Sequence, residues 1–153
     1  MTVQIVSAMN GFGARRAPVS TITFTAGGTG AAGTTTTLFT VTGSIVVLYT
    51  YGVITTDLQQ SAGTPSLAYG VIGDVDFFVG ATTATAMNSP NLWIDNSPAA
   101  SHAQTNAATQ DSYLASGNNV TCTVGGTNNI SAGVIDFFMV YLPMSADASV
   151  VAA

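Results

Sequence analysis

Two stretches of this chain are apolar on both sides of a strand, and that constrains the fold more than any motif does. In "SIVVLYTYGVITT" (44–56) one alternate set is Ile45, Val47, Tyr49, Tyr51 and Val53, and the other is Val46, Leu48, Thr50 and Ile54. "GVIDFFMVYL" (133–142) sets Ile135, Phe137, Met139 and Tyr141 against Val134, Phe138, Val140 and Leu142. An antiparallel sheet ordinarily keeps one wet face. Strands that are greasy on both sides therefore call for two covers, the domain's own core on one side and a neighbouring subunit or partner on the other. The expectation is a homo-oligomer or a partner surface.

The rest of the chain reads as short strands between turn signals. "VSTITFTA" (19–26) alternates, "GGTGAAG" breaks the pattern and "TTTTLFTVTG" resumes it. "SLAYGVI" and "DVDFFVGA" read as a hairpin about Gly73, "TTATAM" as a further strand, and "NLWID" as a short one. "NSPAASHAQTNAATQD" reads as a long loop, followed by strands in "DSYLA", "NNVTCTVG" and "GVIDFFMVYL". Composition agrees with this. There is no Lys and no Glu, Lys plus Arg number 2, and charged residues make up 6% of the 153 residues. The usual fillers of exposed helix faces are thus missing, while Thr, Val, Ile and aromatics favour strands. The fold class expected is all-β: an antiparallel β-sandwich or jelly-roll-like barrel with long loops. Residues 1–18 are expected as an N-terminal arm or first strand, and 19–153 as a single β domain.

The same composition excludes several classes of function. A net charge of −5 with two cations argues against nucleic acid, whose phosphates demand many. No apolar run is long enough for a membrane-spanning helix, and the N-terminus lacks the pattern of a secretory signal. Cys122 is the single cysteine, so neither an intrachain disulfide nor a cysteine-cluster metal site is possible. In "VTCTV" it shares a face with Val120 and Val124 and reads as a small buried hydrophobe. No cofactor is expected.

Each candidate site also has a purely structural reading. Asp136 stands alone among hydrophobes, but a catalytic carboxylate needs a converging base, acid or nucleophile. His102 is the one histidine, lies in the long loop, and no G-x-S-x-G elbow occurs. Asp136 is therefore expected as a structural acid bound by hydrogen bonds, and no enzyme is expected. Asp74 and Asp76 share a strand side and would need a third oxygen donor such as Asp95 to hold Ca²⁺, without the loop that Ca²⁺ sites use. Trp93 or Tyr113 would supply the platform of a carbohydrate-binding module, or Trp93 would be core. "GFGARRAP" places Arg15 and Arg16 after a glycine pair, as an arm docking on an acidic surface or as a solvated loop. The candidates for a partner interface are Arg15, Arg16, Tyr49, Tyr51, Phe138 and Tyr141.

Three stretches carry a resemblance. They are "LFTVTGSIVVLYTYGVITTDL", "LWIDNSPAAS" and "NNISAGVIDFFMVYLPMSADASVV". By motif order they resemble a family of small proteins encoded among the virion genes of tailed bacteriophages. The matching positions are Thr42 and Gly43; Trp93, Asp95 and Pro98; and Ala132, Gly133, Tyr141, Pro143, Ser145, Ala146 and Asp147. Tyr141, Met144 and Ala148 depart from the Trp, Leu and Gly of that pattern, and the first forty residues are not covered. The resemblance implies a virion structural protein, foremost a head decoration or cement protein on the capsid surface. Its partner would be the major capsid protein, and its own state a homotrimer or other homo-oligomer. A tail, fibre or other appendage component is the alternative, and a carbohydrate-binding β module the third reading.

Overall fold

The computed structural model describes residues 13–99 and 112–153, and these form two antiparallel sheets packed face to face. Strands come in the order β1 (Arg15–Arg16), β2 (Ser20–Thr23), β3 (Thr35–Thr42), β4 (Ile45–Gln60), β5 (Ser66–Val71) and β6 (Asp74–Thr83). There follow β7 (Leu92–Trp93), β8 (Ser112–Leu114), β9 (Val120–Gly125), β10 (Ile130–Pro143) and β11 (Ser149–Ala152). The six-stranded sheet is centred on β10 and β4; β1 and β2 share the free edge of β10, and β7 and β8 share that of β4. The five-stranded sheet runs β11-β3-β9-β5-β6. Among the described residues neither sheet closes on itself, so the expected all-β architecture is realised as a sandwich and not as a barrel.

The long pair β4–β10 forms because both segments are dense in β-branched and aromatic residues, which fit a pleated surface. On β10 the alternation is clean: Ile135, Phe137, Met139 and Tyr141 are buried, while Val134, Asp136, Phe138, Val140 and Leu142 are half-buried. On β4 strict alternation fails, and here the structure corrects the sequence reading. Tyr141 pairs with Val47 but Val140 pairs with Tyr49, so Leu48 is an extra residue, a β-bulge. Ile45 and Val47 face the core before it; Thr50, Gly52 and Ile54 face the core after it. Tyr49, Tyr51 and Val53 are thereby on the opposite side from Ile45 and Val47.

Two further segments differ from expectation. "TTATAM" is not a separate strand: Thr82 and Thr83 end β6, and Ala84–Ala86 form a single 3-10 turn whose first amide donates to Pro65 O. The closing Ser149–Ala152, unassigned from sequence, is β11, paired antiparallel to β3. A hairpin turns about Gly73, at φ +90°, as the sequence indicates. Residues 15–17 are integral to the sandwich, since Ala17 is buried and its amide donates to Met139 O at 3.0 Å.

The sheets are joined by an aromatic cluster carrying two polar ties. Tyr69 (β5) packs on Phe137 (β10) and Trp93 (β7) with ring centroids 5.2 and 5.9 Å apart, and on Phe78 at 5.3 Å. The Tyr69 hydroxyl bonds to Thr50 Oγ1 across the interior, and Thr50 in turn donates to Phe138 O at 2.8 Å. Trp93 Nε1 donates to Thr82 Oγ1 at 3.0 Å, again between sheets. Each buried polar atom here is satisfied, as burial requires.

Truncation of Trp93 to Ala removes the largest fully buried side chain and is expected to cost about 3–5 kcal/mol. Tyr69→Phe keeps the ring and loses the tie, while Thr50 retains Phe138 O, so about 1 kcal/mol is expected. Urea unfolding midpoints of the two variants check both the order and the gap.

A candidate interaction face on the six-stranded sheet

The outer face of the six-stranded sheet collects four of the six interface candidates singled out from sequence, Arg16, Tyr49, Tyr51 and Phe138, with Asp136 beside them. Its middle is built by β10 and β4, whose second set of side chains points away from the core. Phe138 lies directly across from Tyr51. Their rings stack at 5.2 Å and 15°, and Tyr51 stacks in turn on Tyr49 at 6.3 Å and 22°. Arg16 reaches over the same Phe138 ring, its guanidinium carbon 5.1 Å from the centroid, a cation–π contact. Val140 and Asp136 flank Phe138 along β10, and Val53 lies beside Asp136 on β4.

The bulge at Leu48 creates this ladder. Without it Tyr49 and Tyr51 would follow Ile45 and Val47 into the interior. With it they emerge, Tyr49 to 45% exposure, next to Phe138. Arg16, Tyr49, Tyr51 and Phe138 thus share one surface, although β1 and β10 are far apart in the chain. Tyr141 does not belong to it: it is 5% exposed on the inner face of β10, because odd-numbered positions there point to the core. Arg15 is exposed and pairs with Tyr141 in register, so it falls on the opposite side of β1 from Arg16. The sequence pattern does not single out Thr21, which proves to matter.

Asp136 sits on this outer face, half-buried, and accepts a hydrogen bond from Thr21 Oγ1 at 2.6 Å. The hydrogen bond anticipated for this acid is present, on a strand face that borders solvent. Other singled-out residues are placed elsewhere. Trp93 is fully buried at 0% exposure and cannot act as a sugar platform. Tyr113 is 61% exposed and its hydroxyl bonds to Ser44 Oγ at 2.9 Å. Among the described residues no three acids, cysteines or histidines converge as a metal site, and Asp74, Asp76 and Asp95 do not form one. Asp95 instead accepts from the Ser97 amide two residues on at 2.8 Å. His102 lies outside the described residues. No helix among those described is long and apolar enough to cross a membrane.

Three of the positions quoted for the resemblance, Gly43, Ser145 and Asp147, meet in the fold. Gly43 turns β3 into β4 at φ +67°, and a Cβ there would lie 2.5 Å from Ser145 Oγ and 2.7 Å from Asp147 Oδ1. Ser145 Oγ accepts from the Ser44 amide at 2.9 Å and donates to Asp147 at 2.6 Å. The two distant motifs therefore interlock as one corner of the sandwich. Gly133, at φ +127°, lets β10 pass so close to Leu58 that a Cβ would lie 2.8 Å from its Cα, a space no side chain could share.

Burial pushes the Cys122 thiol and the Tyr69 hydroxyl well above their ordinary 9.0 and 10.0, the Thr50 hydrogen bond opposing the Tyr69 shift only in part. Both stay protonated when folded. Comparison with protein-family models, curated proteins and solved structures gives no match for this chain.

Because unfolding frees both groups to ionise, their contribution to stability is expected to be level up to about pH 8 and to fall above it, first through Cys122 and about one pH unit later through Tyr69. The fall approaches about 1.4 kcal/mol per pH unit for each group. Cys122→Ala is expected to shallow that slope in melting curves taken from pH 7 to 11, whatever its effect at pH 7. Phe138→Ser, by contrast, alters a half-exposed ring outside the core and is expected to cost no more than about 1 kcal/mol in urea unfolding.

Proposed function

We propose that this protein is a structural component of a tailed-phage virion, a decoration protein that strengthens the capsid shell. It acts by presenting the outer face of its six-stranded sheet to neighbouring chains. The observation that carries this reading is the ladder Tyr49–Tyr51–Phe138 under Arg16, which leaves an already complete sandwich with a second organised apolar surface. A core needs no such surface. Tyr and Arg are the residues that dominate binding energy at protein interfaces, where rigid rings bury area at little entropic cost. The tailed-phage setting rests on the resemblance of the three stretches, two of which, at Gly43 and at Ser145 and Asp147, meet at one corner of the sandwich.

Burial of this face contributes about 25 cal/mol for each Å² of apolar surface removed from water. Such a mechanism uses no bound cofactor and scales with copy number. In a shell of repeated junctions, each docked copy adds its share to the energy that opposes rupture.

The test is the protein's abundance in purified particles. A decoration protein is expected at a copy number near that of the major capsid protein, and particles lacking it are expected to rupture at lower temperature. Recovery at a few copies per particle, with tail fractions enriched, would transfer the role to an appendage. Absence from particles altogether would defeat the virion reading.

A further inference from the structure

We infer that the outer face of the six-stranded sheet is the self-complementary contact of a two-fold homodimer, with Phe138 at the axis. This rests on the reading of that face as an assembly surface, and it names the first occupant as a second copy of the chain.

The rows of the face are laid out for such a contact. The central row holds Tyr51 and Phe138. One row to one side holds Tyr49, Val140 and Arg16; one row to the other side holds Val53, Asp136 and, across β2, Thr21. Arg16 and Thr21 lie along the same edge of β10, since β1 and β2 both pair there. A two-fold axis in the interface plane, running across the strands at Phe138, exchanges these flanking rows and keeps each strand's place across the sheet. It therefore lays Arg16 of one copy over Thr21 of the other, twice, one strand away from the Asp136 that Thr21 holds and within reach of its carboxylate, while Val140 falls over Asp136. It also lays Tyr49 over Val53, and the Tyr51–Phe138 stack over its own equivalent.

Charge points to the same occupant. The molecule carries −5, yet these rows hold one cation, Arg16, and one carboxylate, Asp136, and so are balanced. The acids Asp57, Asp74, Asp76, Asp95 and Asp147 lie outside them. A planar guanidinium brought to a carboxylate already held by Thr21 completes a charge-assisted pair at each end. A face that fits itself in this way closes as a dimer, whereas a three-fold assembly needs two different faces. Four strand positions about 4.8 Å apart and about nine residues long give a projected patch of roughly 500–600 Å² per copy. That lies toward the low end for specific interfaces, so a concentration-dependent dimer is expected.

The full chain carrying Cys122→Ala and Phe138→Cys, mildly oxidised, tests the axis directly. Covalent dimers are expected with Phe138→Cys, and not with Tyr49→Cys in the same background, because position 49 would face position 53. In sedimentation equilibrium Arg16→Asp or Asp136→Arg alone is expected to weaken the dimer about tenfold, and the double exchange to recover most of that loss. A chain that stays monomeric up to about 100 μM overturns the inference. So does cross-linking through Tyr49→Cys as readily as through Phe138→Cys, or a double exchange no stronger than either single variant. Particle-bound protein that is monomeric in solution would refute the dimer alone; a Phe138-centred dimer never found in particles would refute the virion role alone.

Discussion

The pairing of β4 with β10 is the contact on which everything else in the molecule is hung. It runs from Ile130 opposite Gln60 to Pro143 opposite Ile45, the longest ladder in the fold. One side of this ribbon supplies the floor of the core, with Ile54, Ile135, Phe137 and Met139 all fully buried. The other side supplies the aromatic face. The short strands β1, β2, β7 and β8 add to its edges and would have little stability as isolated pairs. Apolarity on both sides is therefore no excess of hydrophobicity. It is two surfaces made from one pair of strands.

The interior is held in register by more than area. Tyr69 reaches from one sheet to Thr50 on the other, and Trp93 reaches back to Thr82. These bonds add modestly to stability, but misalignment of the sheets would strand buried polar atoms, which is far more costly than a lost contact. The ties thus act chiefly on the choice among alternative packings, which matters in a chain with very few charges to direct it. Asn119 and Asn129 serve similarly at the edges, their side-chain oxygens accepting from the Val41 and Ala32 amides at 3.0 and 2.9 Å.

Much of this architecture is legible in the amino-acid sequence, because alternation is a local property of strands. Residues 133–142 divide between core and surface as their period-two pattern says, and Cys122 and the hairpin at Gly73 follow from equally local signals. What is not legible depends on pairing. Nothing in "VVLYTY" marks Leu48 as the residue to be skipped, since the bulge is defined only against Val140 and Tyr141. The meeting of Arg16 with Phe138, and of Thr21 with Asp136, joins segments more than a hundred residues apart. Tyr141 belongs to the core and not to the interface for a related reason: aromatic character alone does not say which face of a doubly apolar strand a residue occupies. In β11, four residues are too few to display a period.

The bulge has a consequence for how such a chain can change over time. Exchanging one side chain for another along β4 alters a single contact. Losing Leu48 would leave Val47 opposite Tyr141 and Tyr49 opposite Val140 in plain alternation, tyrosines still outward and Thr50 and Ile54 still inward. Losing a residue between Tyr49 and Ile54 would instead turn over every side chain that follows it. The residue count is thus free at the bulge and constrained along the rest of the ribbon. Descendants can shed that one extra residue and still keep both faces, so a gap in an alignment there would leave no mark on the shape.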